Sequence, residues 1–393
     1  MITTINNKHK KLNVPNLRFK EFQGEWEKCK LGDYGKVITG NTPPTKDVEN
    51  YENGEYLWAS PADLGTIKSI TETKTMLSAK GFAKTRTLPK GSVLVTCIGS
   101  TIGKTGMATK EMSTNQQINS IVVNDNNDNE FVYYAIQSAF PRYLSSIAVQ
   151  AVPIISKSAF ELLPNKKPSL QEQKRIGKFL SLLDERISTQ NKIIDKLQSL
   201  IKGIVDCTIL RKEKNAIVGD VCSISEQIRA EANIDDIITV RLHGNGVCKS
   251  SAENLQLGAT QYYRRRAGQL IYGKQNFHNG AIGIVPISLD NGITSKDIPS
   301  FDIDEMKCNS VYLLAQLQSP QYYKPAEALT TGTGSKRLKE ETFLKMPIVL
   351  PNKREQDNIA VLIHRASMNL DHAKRLLELL SIQKQYLLRQ MFI

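Results

Sequence analysis

Two stretches of the chain place apolar residues at steps that alternate between four and three. The first runs through Ile176, Leu180, Leu183, Ile187, Gln190, Ile194, Leu197, Ile201 and Ile204. An offset of 183 carries this series onto Ile359, Ile363, Ala366, Leu370, Ala373, Leu377, Leu380, Lys384 and Leu387. Alternating steps of this kind mark a coiled-coil seam. Gln190 interrupts the first seam and Lys384 the second; a single polar seam residue fixes register at some cost in stability. A helix from Glu172 to about Val205 is about 50 Å long at 1.5 Å per residue. Its apolar stripe needs a partner, and the chain carries one in its own second copy. The pattern predicts an intramolecular, antiparallel helix pair with a globular block at each end. The alternative is that each helix packs separately on its own block.

Both helices open with nearly the same words, "PSLQEQKRI" (168–176) and "PNKREQDNI" (351–359). The same offset takes Phe160 to Phe343, Pro164 to Pro347 and Gln173 to Gln356. Ser169 precedes Glu172 by three residues and Asn352 precedes Glu355 by three, the spacing of a capping box. Each proline stops the segment before it from running into the helix.

The remaining blocks, 15–165 and about 216–349, read as short strand-like runs broken by Gly, Pro and Asn. "KGSVLVTCIGSTIGKTGMA" (90–108) aligns with "AGQLIYGKQNFHNGAIGIV" (267–285), placing Gly103 on Gly280 and Gly106 on Gly283. "LGD" (31–33) recurs as "VGD" (218–220). The repeat unit is therefore block plus helix, and the blocks have diverged further than the helices.

Charge changes the picture more than composition does. Lys and Arg number 52 against 39 Asp and Glu, a net charge of +13, which points first to a polyanionic partner. No apolar run approaches the roughly 18–20 residues of a membrane span. The start, "MITTINNKHKK", lacks the apolar stretch of a secretion signal and reads as a short solvated tail. The six cysteines form no CxxC pair and the five histidines complete no zinc pattern, so reduced structural thiols are expected.

No catalytic pattern is complete in the sequence. "GSTIGKT" (99–105) has three residues between its glycines where a P-loop needs four, and "GMAT" follows where a helix must start. It reads as a polar hairpin loop. "NTPP" (41–44) lacks the aromatic residue of an amino-methyltransferase motif, and pairs such as Asp63 and Lys68 do not make a nuclease.

What remains is binding chemistry. In the first block the candidates are Asn41, Thr42, Lys46, Lys84, Arg86, Ser100, Thr101, Lys104, Asn115 and Gln116. In the second they are Arg241, His243, Arg264, Arg265, Arg266, Lys274, Gln275, Asn276, His278, Lys336 and Arg337. Three consecutive arginines in a strand alternate faces, so at least one should face solvent. Gln and Asn suit adenine, while Arg and Lys suit guanine or phosphate.

Two divergent blocks, each followed by a long helix opening with "P…EQ..I", together with "NLRFKEFQGEWEKCKLGDYGKVITGNTPP" (16–44), resemble the specificity subunit of type I restriction–modification systems. The resemblance implies an α+β chain: two similar mixed α/β, strand-rich target recognition domains, each followed by a long helix, the helices pairing as an antiparallel coiled coil with pseudo-two-fold symmetry. The expected division is a flexible tail (1–12), recognition domain 1 (13–167), helix 1 (168–206), a linker (207–216), recognition domain 2 (217–350) and helix 2 (351–393). By the same resemblance each domain reads half of a bipartite, asymmetric DNA site. The helices space the halves and dock two modification (methyltransferase) subunits, which methylate adenine N6; two restriction (translocase/nuclease) subunits can join. The chain itself is then a cytoplasmic, non-catalytic subunit without a cofactor of its own. S-adenosylmethionine, ATP and Mg²⁺ enter through its partners. The competing reading is a coiled-coil scaffold that binds proteins and whose positive charge is incidental.

Overall fold

The computed structural model describes residues 2–4, 13–65, 67–146, 154–250, 260–332 and 336–393. Most of the expected tail, residues 5–12, lies outside the described residues; Ile2–Thr4 pairs antiparallel with Leu17–Phe19. The architecture is mixed α/β with two long helices, Leu170–Val205 and Lys353–Met391. The first continues into a π-helical turn, Asp206–Leu210. Two compact units share these helices: one comprises Met1–Asn191 with Leu376–Ile393, the other Lys192–Arg375.

In the first unit a five-stranded sheet runs in the order Gly35–Thr39, Ile118–Val123, Val93–Thr96, Thr105–Ala108, Ser69–Ile70. The first four strands are antiparallel neighbours and the last joins in parallel. A second sheet contains Thr75–Leu77, Tyr56–Ala59, Met112–Thr114 and Thr87–Leu88. Helix Asn129–Ser146 buries Phe131, Tyr134 and Ile136 in the main core. Ile176 and Leu180 of the first long helix enter that core, as do Leu387, Leu388 and Met391 of the second. Trp26 packs edge-on against Phe131 and Phe392. Each such side chain, fully buried, contributes about 1.5–3 kcal/mol. Lys384, the cation in the apolar seam, meets Asp184 at 2.7 Å, and Tyr134 donates to the other oxygen of Asp184 at 2.5 Å.

The second unit repeats the plan. Its sheet order is Cys222–Ile224, Ser300–Ile303, Leu270–Tyr272, Ile282–Ile284. The hairpin Leu270–Tyr272/Ile282–Ile284 has the register that the 177-residue offset predicts from Val93–Thr96/Thr105–Ala108: Leu270 faces Ile284 as Val93 faces Met107. Gly103 and Gly280 both adopt positive φ, 91° and 76°, within these hairpin connections. A three-stranded sheet joins Arg229–Ala230, Tyr262–Arg264 and Ile293–Ser295. Val205, Ile209, Ile359 and Ile363 belong to one core with Tyr272, Phe301 and Phe343.

Every predicted seam residue is buried or half-buried: Ile176, Leu180, Leu183, Ile187, Gln190, Ile194, Leu197, Ile201 and Ile204 on one helix. On the other, Ile359, Ile363, Ala366, Leu370, Ala373, Leu377, Leu380, Lys384 and Leu387 are likewise covered. The helix starts differ from expectation in one respect. Ser169 and Asn352 accept the Glu172 and Glu355 N–H groups, as N-caps do. The two carboxylates do not reach back. Glu172 is buried against Arg18, with both oxygens bonded at 2.8 Å, and Trp26 Nε1 donates to it. Glu355 pairs with Lys212. A guanidinium offers a carboxylate two charged donors where the backbone offers one neutral N–H, so the ion pair wins.

The motif glutamines explain why the helix openings repeat. Gln173 Nε2 donates to the Pro168 carbonyl at 3.0 Å, and its Oε1 accepts from Asp128 N at 3.1 Å. Gln356 does the same with Pro351 at 2.8 Å and Asn309 N at 2.9 Å. Asp128 and Asn309 in turn accept backbone N–H groups at the starts of Asn129–Ser146 and Ser310–Leu317. One buried amide thus ties each long helix to the start of a helix in its own block.

Candidate nucleic-acid interface

Antiparallel order determines which loops meet. In the first unit, Gly35–Thr39 and Val93–Thr96 end, and Thr105–Ala108 and Ile118–Val123 begin, at the same edge of the sheet. The loops at 40–46, 97–104 and 113–117 therefore share that edge. Asn41 N donates to Thr114 O at 2.9 Å and Cys97 N to Gln117 O at 2.8 Å. The 83–86 loop joins through Asn41, whose Nδ2 donates to Lys84 O and whose Oδ1 accepts from Arg86 N, both at 2.9 Å. "GSTIGKT" is a hairpin loop between two strands, with no helix after it.

Lys46, Lys84, Arg86, Ser100, Lys104 and Gln116 are exposed, and Thr42 and Thr101 half-buried. Thr42 Oγ1 donates to Gln116 Oε1 at 2.5 Å. Lys84 lies 3.3 Å from Asp47, and Arg86 Nη1 donates to Thr39 O at 2.8 Å. Two expected contact residues have other work. Asn115 is only 7% exposed and donates to Gln117 Oε1. Asn41 spends its amide on the neighbouring loop, so it positions Thr42, Lys84 and Arg86.

In the second unit the loops at 241–246, 273–281 and 336–340 converge. His243 N donates to Asn279 O at 2.8 Å, and Leu338 N to Lys274 O at 2.9 Å. Arg241, His243, Gln275, Asn276, Lys336 and Arg337 are exposed, and His278 is half-buried. His243 holds a left-handed φ of 60°, a conformation uncommon for a side-chain-bearing residue and a marker of imposed loop geometry. Lys336 pairs with Glu327 at 3.0 Å and Arg337 with Asp297 at 3.3 Å. The Lys336 hydrogen bond holds the Glu327 carboxyl below its ordinary range. Exposed pairs of this kind are weak, so either cation can exchange its carboxylate for a phosphate at little cost.

Lys274 is largely covered and bonded to Glu340 at 2.6 Å, which ties the loop down rather than leaving the cation free. The arginine run sits apart from this cluster, after Tyr262–Arg264. Arg264 and Arg266 are exposed, as alternation requires. Arg265 corrects the expectation for that run: it is 0% exposed and donates to Thr294, Ser300 and the Ile298 carbonyl. Burial pushes its guanidinium down to about 10. With its donors committed inside, it holds the fold and cannot touch a phosphate.

Among the described residues no three His, Cys, Asp or Glu side chains gather as metal ligands, and no helix is long and apolar enough to cross a membrane. Sequence reasoning missed Arg18, Trp26, Asp128, Asn309 and Asp184. The Asp and Asn just ahead of apolar helices were a readable N-cap signal; Arg18 and Asp184 left none, since both depend on a distant partner.

A mixed α/β unit present twice, each copy with convergent polar loops and a long helix, defines a paired-domain α/β protein. Residues 23–199 match the type I restriction modification DNA specificity domain. It is similar to the MjaIX specificity subunit of Methanocaldococcus jannaschii, 30% identical over 44% of this chain and 42% of that relative. The HindI specificity subunit of Haemophilus influenzae is also 30% identical, over 45% of this chain and 40% of its own. The chain thus spans about two fifths of these two relatives. The MjaVIII specificity subunit aligns over 87% of both chains at 22% identity. The crystal structure of the S subunit from M. genitalium shares the fold over 97% of this chain and 99% of its own, with a TM-score of 0.66 at 15% identity.

Proposed function

We propose that this chain is the DNA sequence-specificity subunit of a type I restriction–modification complex and catalyses nothing itself. Each unit reads one half of a bipartite, asymmetric site through its convergent loops. The two long helices pair antiparallel and set the distance between the halves, on the order of one DNA turn or about 34–36 Å. Phosphate contacts from Lys84, Arg86, Lys336 and Arg337 position the duplex, and base-edge contacts choose the sequence.

The observation that carries this reading is the repeated glutamine lock. Gln173 and Gln356 fasten each block to its own helix through equivalent hydrogen bonds, so each block keeps a fixed frame on that helix. The helices also offer a docking surface for two methyltransferase subunits. Leu376, Leu379, Ile382 and Tyr386 form an exposed apolar stripe away from the covered seam, and Ile193, the repeat equivalent of Leu376, is exposed too. Two restriction subunits complete the assembly, which works in the cytoplasm. S-adenosylmethionine, ATP and Mg²⁺ belong to those partners.

Exchanging block 216–349 for that of a relative tests the reading. The chain is expressed with its modification subunits and the methylated DNA is sequenced. One half of the bipartite motif is expected to change while the other half and the spacing persist. A change in both halves, or the lack of any bipartite motif in the parent, overturns it.

A further inference from the structure

We infer that Gln116 reads an adenine in the half-site assigned to the first unit, with Thr42 as its positioning residue; this rests on the DNA-recognition reading above. Gln116 is exposed at the tip of the 113–117 loop. The Thr42 hydroxyl donates to its Oε1 at 2.5 Å, which holds the amide in place. That contact uses one lone pair of Oε1. The second lone pair remains, and Nε2 has no hydrogen-bond partner among the described residues. A free donor beside a free acceptor on one planar group is the pattern that pairs with adenine N7 and N6 in the major groove. Guanine presents two acceptors there, so one Gln amide satisfies only half of it.

The support behind the amide is rigid. Pro43 and Pro44 follow Thr42, and Tyr51 Oη and Asn50 Nδ2 donate to their carbonyls at 2.8 and 2.9 Å. Trp58 Nε1 donates to Asn41 O at 3.1 Å. Asn41 links this support to the backbone of Lys84 and Arg86, so the loop that carries these two cations is tied to the same support. A base reader held by a neighbouring side chain, on a support tied to a cation-bearing loop, has the organisation that precise recognition needs. The loops of the second unit expose Gln275 and Asn276 beside Arg241, His243, Lys336 and Arg337, but among the described residues no threonine hydroxyl holds an exposed glutamine there, so the inference applies to one half-site only.

The test selects bound duplexes from a randomised library with the full-length chain in complex with its modification subunits. Parent, Gln116→Ala, Thr42→Val and Lys84→Ala are compared at one salt concentration. The parent is expected to select a bipartite motif with an A·T pair in the first unit's half. Gln116→Ala loses about tenfold to a hundredfold of the preference at that one position and leaves the other half intact. Thr42→Val gives a smaller loss at the same position. Lys84→Ala weakens all sequences alike and shortens the salt slope by about one. An unchanged motif with Gln116→Ala overturns the inference, as does a loss confined to the second unit's half. A parent that selects no motif instead overturns the recognition reading itself.

Discussion

The two units keep the same framework and differ where they face outward. The framework residues match bond for bond. Asp33 accepts from Lys30 N at 2.7 Å and Asp220 from Ile217 N at 2.8 Å, each closing a 3-10 turn. The glutamine locks match, and so do the registers of the two hairpins. The outward loops do not match bond for bond: a glutamine held by a threonine hydroxyl beside Lys and Arg in the first unit, and His and Arg with cations paired to Glu327 and Asp297 in the second. Residues that transmit geometry are constrained twice by one design, whereas loop residues answer only to what they meet.

The largest difference lies in how each helix-opening glutamate is held. Glu172 is 1% exposed and Arg18 4%, whereas the Lys212–Glu355 pair is about two-fifths exposed. Removing one partner of a buried pair strands a charge and costs about 3–5 kcal/mol; an exposed pair is worth about 0–1 kcal/mol. Arg18→Met is therefore expected to destabilise the first unit by about 3–5 kcal/mol, and Lys212→Met the second by less than about 1 kcal/mol. Urea unfolding followed by hydrogen exchange in each unit checks this. Equal losses would show that the buried pair is no special fastening of the first unit.

The locks are expected to behave alike. Gln173→Ala and Gln356→Ala each leave a backbone N–H and a proline carbonyl buried without their partner. Such groups cost about 1–3 kcal/mol each, so a loss of about 3 kcal/mol is expected in either unit, measured in the same way. A large loss from only one variant would break the equivalence on which the duplicated reading rests.

Local signals were legible in the sequence and distant ones were not. The seam steps, the prolines and the Gly103/Gly280 alignment follow from spacing along the chain, so helices, repeat and hairpin could be read directly. The caps were half legible: the Ser169 and Asn352 side chains act as read, but Glu172 is claimed by Arg18, 154 residues away. Among the candidate contact residues, composition picked out loops, and the fold brings those of the first unit to one edge. It could not tell exposed Gln116 from buried Asn115 next to it, nor Arg265 from its neighbours. Direction within a loop is set by tertiary hydrogen bonds, and those bonds have no local signature.

The smallest effect contrasts the thiols. Cys29 and Cys97 of the first unit are buried, as are Cys222 and Cys308 of the second; burial pushes Cys97, Cys222 and Cys308 up to about 12. The thiolate is the reactive form, so these groups are protected twice, by access and by protonation. Cys207 is exposed in the π-helical turn, and half-buried Cys248 accepts from Arg241 Nε at 3.1 Å. A maleimide added to the folded chain is expected to modify Cys207 first, Cys248 more slowly and the other four only on unfolding, with peptide mass spectrometry giving the order. Both accessible thiols then lie in the second unit, so early modification of Cys29 or Cys97 would mean that the first unit opens locally. That would contradict a first unit held closed by Gln173 and the Arg18–Glu172 pair.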